Sequence, residues 1–182
     1  MLNEVIGGKA YAIKRSNIDT DAIIPPSNLS EYDQQKLAPY AMSGIVEGFA
    51  KKVSEKRLNI LVTGGNLGCG SMRAHAVWAL VGAGIRAIIA PSYARTFYRS
   101  AIDSGNLIPL TVDESVIEEL NHADQLEIYM SDQTIKNLTS GKNYKFKPFE
   151  KELQGIIEAG GLAEYNKQRE RRGEIKFNRI PK

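Results

Sequence analysis

Apolar positions fall into compact runs separated by segments of helical period. Residues 58–63 (LNILVT), 86–90 (RAIIA) and 107–112 are apolar runs of strand length. Between them, 72–83 is apolar on nearly every face and predicts a buried helix. Residues 93–103 predict a second helix, and 113–120 a short one with Val116, Ile117 and Leu120 on one face. Strands alternating with helices across short connections predict parallel βαβ units.

The flanking segments differ. Residues 5–14 (VIGGKAYAIK) alternate loosely about a glycine pair, predicting a strand with a bulge or bend. RSNIDTDAIIPPSNLSEYD, 15–33, is rich in Asn, Asp, Ser and Pro and reads as a loop stiffened at Pro25 and Pro26. A short helix is expected over 33–42. Short strands are expected at 125–130, 134–138 and 143–146, with TSGKN turning between the last two. Helices at 149–159 and 162–172 are parted by Gly160 and Gly161. With no internal repeat or linker, residues 1–182 are expected to form a single α/β domain with a C-terminal helical extension.

Composition narrows the function classes. At 42% hydrophobic and 25% charged, the chain has the make-up of a soluble globular protein, and 182 residues suffice to bury a core. Much of the +3 net charge lies in KQRERRGEIKFNRIPK, a solvated helix end or an assembly contact. That tail lacks the aromatic interleaving of a single-strand platform, so no nucleic-acid partner is expected. One cysteine, Cys69, allows no internal disulfide and fits a reducing cytoplasm. No run approaches the roughly 18–20 apolar residues of a membrane span, and the start lacks a signal-peptide core. A cytoplasmic protein without a membrane partner is expected.

The candidate chemistry lies in NLGCGSMRAHAVWAL, 66–80. A strand, a glycine turn and a helix in succession aim backbone N–H groups, and the positive end of the helix dipole, at one place. Ser71 is the natural N-cap and Arg73 follows in the first turn, where it opposes the dipole; helix stability does not explain it. An arginine fork grips a carboxylate through two hydrogen bonds. The plainer alternatives stand beside this: Ser71 as a cap only, Cys69 as a small buried thiol, His75 and His122 as structural residues without a second ligand at metal spacing. A nucleotide fold is disfavoured. TGGNLGCGS lacks the Lys-Ser/Thr ending of a phosphate loop, and the strand RAIIAPS lacks the acidic residue of a dinucleotide site.

NLGCGSMRAHAVWAL resembles the glycine–serine–arginine signature of the swivelling domain of the aconitase superfamily. SNIDTDAIIP resembles the same family's Asp-Thr-Asp loop, and APSYARTFYRSAIDSGNLIPL, with Arg95, its Ser-Phe-Ala-Arg-Ile-Phe-Tyr segment. LTSGKNYKFKP and IIEAGGLAEYNK resemble the C-terminal part of stand-alone small subunits in the 3-isopropylmalate dehydratase and homoaconitase-like branch. These motifs, in order, span nearly the whole chain. The resemblance implies a swivelling β/β/α layered domain and half of a heteromeric hydro-lyase. Ser71 matches the base that removes a proton beside a carboxylate, and Arg73 the arginine that grips a carboxylate. A four-iron, four-sulfur cluster serves as Lewis acid, carried by a separate large subunit and not by this chain.

The sequence also departs from the pattern. Met72 replaces a second serine, and Ala74 a glutamate. PSNLSE, 26–31, puts Ser27 and Asn28 where the family often has arginine and an aromatic. In the family this loop meets the variable part of the substrate, so Asn28, Leu29 and Ser30 are expected to bind it. Losing a guanidinium argues against a third carboxylate. A small dicarboxylate with an alkyl group, 2-isopropylmalate in leucine biosynthesis, is the substrate the resemblance implies. The alternatives are a dimethylmalate or methylmalate substrate, or a non-catalytic binding module of the same fold.

Overall fold

The structure is a computed structural model and describes residues 5–71 and 73–176. Met72 and the end of the basic tail, 177–182, lie outside the described residues. Seven strands, β1 (Val5–Ile13), β2 (Ile60–Thr63), β3 (Ala87–Ala90), β4 (Ile108–Thr111), β5 (Gln125–Tyr129), β6 (Thr134–Asn137) and β7 (Asn143–Lys145), join in the order β4-β3-β2-β1-β5-β6-β7. β2 to β4 are parallel, as the alternating pattern predicts, and β1 joins them in the same direction. β5 to β7 extend the other side antiparallel.

β1 serves both halves. Residues 5–9 pair antiparallel with β5, and 10–13 pair parallel with β2. Its glycine pair makes no bulge: Gly7 faces Glu127 and Gly8 faces Leu126 in unbroken register. Gly8 is small for another reason, since a Cβ there would run into the Asn59 side chain, whose Nδ2 donates to the Gly7 carbonyl at 3.2 Å. The bulge expected from the sequence is thereby corrected.

Every residue of β2 and β3 is buried, because both faces of this part of the sheet are covered. Leu61 and Ile88 face a core shared with Tyr11, Phe49 and Leu80. Ile60, Val62 and Ile89 face a second core with Ile128, Ile135 and Ile156. The sheet curls around that second core. Just past β7, the Lys147 N–H donates to the Thr111 carbonyl at the end of β4, 2.8 Å away, joining the two outer edges.

Eight helices surround the sheet among the described residues: α1 (Thr20–Ile23), α2 (Gln34–Leu37), α3 (Phe49–Lys56), α4 (His75–Gly82), α5 (Arg95–Ser104), α6 (Glu114–Glu119), α7 (Lys151–Ala159) and α8 (Leu162–Arg171). The segment expected to be loop holds α1, capped by Asp19 accepting the Ala22 N–H at 2.7 Å, and a 3-10 turn at Pro26–Asn28. Asp33 caps α2 through the Gln35 N–H at 2.8 Å. α3 has no counterpart among the elements expected from sequence. It buries Phe49 and Val53, four residues apart, and ends on Arg57 in the left-handed region at φ 53° and ψ 45°. Glycine is the usual residue there; a side chain costs about 1 kcal/mol or more.

Candidate active site

The carboxyl ends of β1, β2 and β3 release three loops, residues 14–19, 64–74 and 91–94, on one edge of the parallel sheet. That edge is where open α/β sheets place their ligands. The glycine turn sits between the other two loops, held mainly by backbone. Gly64 N–H donates to the Arg15 carbonyl (3.0 Å), Asn17 N–H to Gly65 (2.9 Å), Gly68 N–H to Ile18 (2.7 Å) and Thr20 N–H to Cys69 (2.8 Å). On the other flank Leu67 N–H donates to Ser92 (3.2 Å) and Ala94 N–H to Leu67 (2.9 Å). Asn66 Nδ2 adds a 2.9 Å bond to Asn17 Oδ1. Gly68 has φ 80° and lies on the Phe97 ring; a Cβ would overlap it. Gly70 has φ 96°, which keeps the chain out of the helix for one more turn.

Ser71 therefore does not cap α4, as the sequence suggested. The helix begins at His75 behind Ala74, with no side-chain cap. The Ser71 hydroxyl instead accepts the N–H of Arg73 at 3.3 Å, a local bond that competes with helix formation. That N–H stabilises negative charge on the oxygen. Ser71 is half-buried and Arg73 exposed, and Arg73 takes part in no ion pair among the described residues. A hydroxyl and a guanidinium two residues apart, on one open edge, form a site suited to a carboxylate with a removable proton beside it. The Cys69 thiol is free and half-buried, not the small buried thiol expected.

Of the residues expected to bind substrate, Asn28 and Leu29 are half-buried and Ser30 is exposed. No hydrogen bond joins them to Ser71 or Arg73 among the described residues. The link runs through the end of the loop. Glu31 accepts the N–H groups of Tyr32 and Asp33, both at 2.9 Å, with Lys36 at 3.5 Å. The Asp33 and then the Tyr32 N–H bond hold its carboxyl below the usual value. The Tyr32 ring then stands 5.4 Å from His75 and 6.1 Å from Trp78. The loop is thus tied to the first turns of α4, next to Arg73.

Two buried groups stand at this edge: Thr20, not singled out in the sequence, and His75, taken there as structural. Thr20 is 4% exposed, and its hydroxyl, 3.8 Å from where a Gly70 Cβ would stand, has no hydrogen-bond partner among the described residues. His75 is 8% exposed, and neither ring nitrogen has a partner among them. Thr20 belongs to the Asp-Thr-Asp motif, which was its only signal.

Among the described residues no three His, Cys, Asp or Glu side chains cluster to hold a metal ion. A single cysteine does not supply the thiolates an iron–sulfur cluster needs, so these residues do not fit one. No described helix is long and apolar enough to cross a membrane.

Comparison with known proteins gives the class first. Residues 31–115 match the Aconitase C-terminal domain, so the turn bearing Ser71 and Arg73 lies within a domain of that type. Over 164 residues the chain is 44% identical to the 3-isopropylmalate dehydratase small subunit of Thermodesulfovibrio yellowstonii, covering 90% of this chain and 95% of that one. It is 40% identical to the isopropylmalate/citramalate isomerase small subunit of Methanocaldococcus jannaschii, covering 92% and 97%. A crystal structure of 3-isopropylmalate dehydratase from the latter organism superposes with a TM-score of 0.85 at 38% identity, covering 94% of this chain and 98% of that one. The chain belongs to the family of 3-isopropylmalate dehydratase small subunits. The fold is accordingly the layered swivelling α/β domain that the sequence motifs implied.

Proposed function

We propose that this chain is the small subunit of a hydro-lyase that converts 2-isopropylmalate to 3-isopropylmalate by loss and re-addition of water, in the cytoplasm and within leucine biosynthesis. The observation that carries this reading is the Ser71–Arg73 pair, set by a backbone-held glycine turn at the carboxyl edge of the sheet in a chain of this family. The Ser71 oxygen takes the proton from the carbon beside a substrate carboxylate. The Arg73 N–H at 3.3 Å favours its deprotonated form. The Arg73 guanidinium grips that carboxylate and the charge that builds on it as the proton leaves. Asn28, Leu29 and Ser30 meet the alkyl group, with Leu29 supplying apolar contact. The chain acts as a single swivelling domain with α7 and α8 as its extension, inactive until a large subunit closes over this edge. That subunit carries the four-iron, four-sulfur cluster, for which this chain has no ligand set.

The test is co-purification with a large subunit from the same organism, anaerobic cluster reconstitution, and ultraviolet detection of the unsaturated dicarboxylate formed from 2-isopropylmalate. Turnover is expected, with Ser71→Ala lowering kcat by about 10²–10⁴-fold without dissociating the complex. A complex that turns over equally well with Ser71→Ala sinks the assignment of the base. A complex silent on every alkylmalate supports the non-catalytic module instead.

A second substrate is favoured by one observation. The M. jannaschii relative is named for citramalate as well as isopropylmalate, and the loop here lacks both the arginine and the aromatic of the common pattern. Running the same assay with citramalate, a methylmalate, decides whether this chain shares that breadth.

A further inference from the structure

A groove of 740 Å³ opens at the other end of the parallel strands, between α2 with its following turn, α3 and the C-terminal end of α4. Asn59 and Arg86 line it, and they immediately precede β2 and β3, whereas Ser71 lies beyond the far end of β2. A four-residue strand, about 13 Å, separates the two ends. The walls are aliphatic: Ala38, Pro39, Ala50, Val53 and Ala83. Three cations line it, Lys51, Arg57 and Arg86, and no Asp or Glu does. Lys51 lies 3.8 Å from Glu55, while Arg57 and Arg86 enter no ion pair among the described residues.

Arg57 stands out for a second reason. It holds the left-handed position that ends α3, where glycine is unstrained. The backbone gains nothing from an arginine there; what the arginine adds is a guanidinium at the groove. A cleft of this size, with aliphatic walls and two guanidinium groups outside the ion pairs of the described residues, suits a small ligand with a hydrocarbon body and an anionic head.

We propose that this groove is a second binding site, remote from Ser71, for a small aliphatic carboxylate, with its head group at Arg57 and Arg86 and its hydrocarbon against Ala50, Val53 and Ala83. Nothing in this inference depends on the dehydratase reading.

The probe is 4-methylpentanoate, titrated into the full chain at low ionic strength by calorimetry, with amide NMR shifts followed in parallel. Saturable binding is expected, with the shifts centred on Gly48, Ser54 and Gly84. Arg57→Gly removes the guanidinium while relieving the backbone. It is expected to raise Tm yet weaken binding about tenfold or more, and Arg86→Gln to weaken it similarly. The neutral 4-methylpentanamide is expected to bind about tenfold more weakly than the acid. Arg73→Gln is expected to leave the affinity unchanged. The proposal is overturned by absence of saturable binding, by undiminished binding to Arg57→Gly, by equal binding of the amide, or by loss of binding in Arg73→Gln, which would place the ligand at the Ser71 edge. Sulfate binding as tightly as the acid also overturns it, since the aliphatic walls would then play no part.

Discussion

Gly68 shows how the site depends on a missing side chain. Its φ of 80° and its seat on the Phe97 ring leave no room for a Cβ, while its N–H holds Ile18 from the neighbouring loop. Gly68→Ala is expected to lower stability by about 2 kcal/mol or more, read as a lower denaturant midpoint. It is also expected to cost activity in the assembled enzyme, because Ser71 lies three residues on. A midpoint equal to that of the unaltered chain would mean that the turn relaxes freely and is not what positions the hydroxyl. At this scale much was legible. Ser71 and Arg73 stand in one short stretch, and a glycine turn after an apolar run announces an exposed edge. The groups reached across long sequence gaps were not legible: Asn17 pairs with Asn66 only because the sheet brings their loops together, and Tyr32 meets His75 only because its loop folds onto the start of α4.

Among the elements, the 26–33 loop and its attachment to α4 set what faces the edge where substrate is proposed to bind. Glu31 ties the loop to the start of α2, and the depressed carboxyl gives a sign. A group held below its ordinary value adds stability above that value and loses it as pH falls through the folded one. The tie is therefore expected to weaken as pH drops below 4.5. Trp78 is the single tryptophan and lies against Tyr32, so its emission reports on the loop. A fluorescence step below pH 4.5 is expected, and Glu31→Gln should abolish it; a step of equal size in the variant would show that Glu31 does not hold the loop. Element positions were read well where an apolar run or a repeated apolar spacing was present, as in β2, β3 and α5. The start of α4 was placed too early because apolar pattern alone does not see Gly70 at φ 96°, nor the Ser71 hydroxyl drawing the Arg73 N–H away from the helix. α3 escaped because its apolar stripe is only Phe49 and Val53.

At the scale of the whole molecule, the curl of the sheet was not legible, since the bond between Lys147 and Thr111 joins strands that no local pattern connects. Two tyrosines brace that region. The Tyr93 hydroxyl lies 2.8 Å from the Leu110 carbonyl on β4 and 3.0 Å from Ile88 on β3, and its ring is 5.5 Å from Tyr98, which in turn stacks at 6.4 Å on Phe149. Burial, then the Glu150 charge, push the Tyr98 hydroxyl up to about 12, and burial with Tyr98 beside it raises Tyr93 well above 10. Raised values mean that stability is intact below pH 10 and falls as pH climbs toward about 12. Alkaline unfolding is expected across that window, with Tyr98→Phe moving the midpoint upward in a circular-dichroism titration; an unmoved midpoint would remove Tyr98 from the account. The manner in which the Ser71 turn is fastened also bears on descent. Its ties to the loops at 15–20 and 91–94 are mostly main-chain, made of atoms that almost any residue carries, so drift in those loops changes the lining and leaves the hydroxyl in place. The 26–33 loop hangs on side chains at Glu31 and Tyr32, and a few substitutions suffice to rewrite it. On the roles proposed for them, lineages are free to exchange one alkyl group for another there while inheriting the proton-moving edge intact.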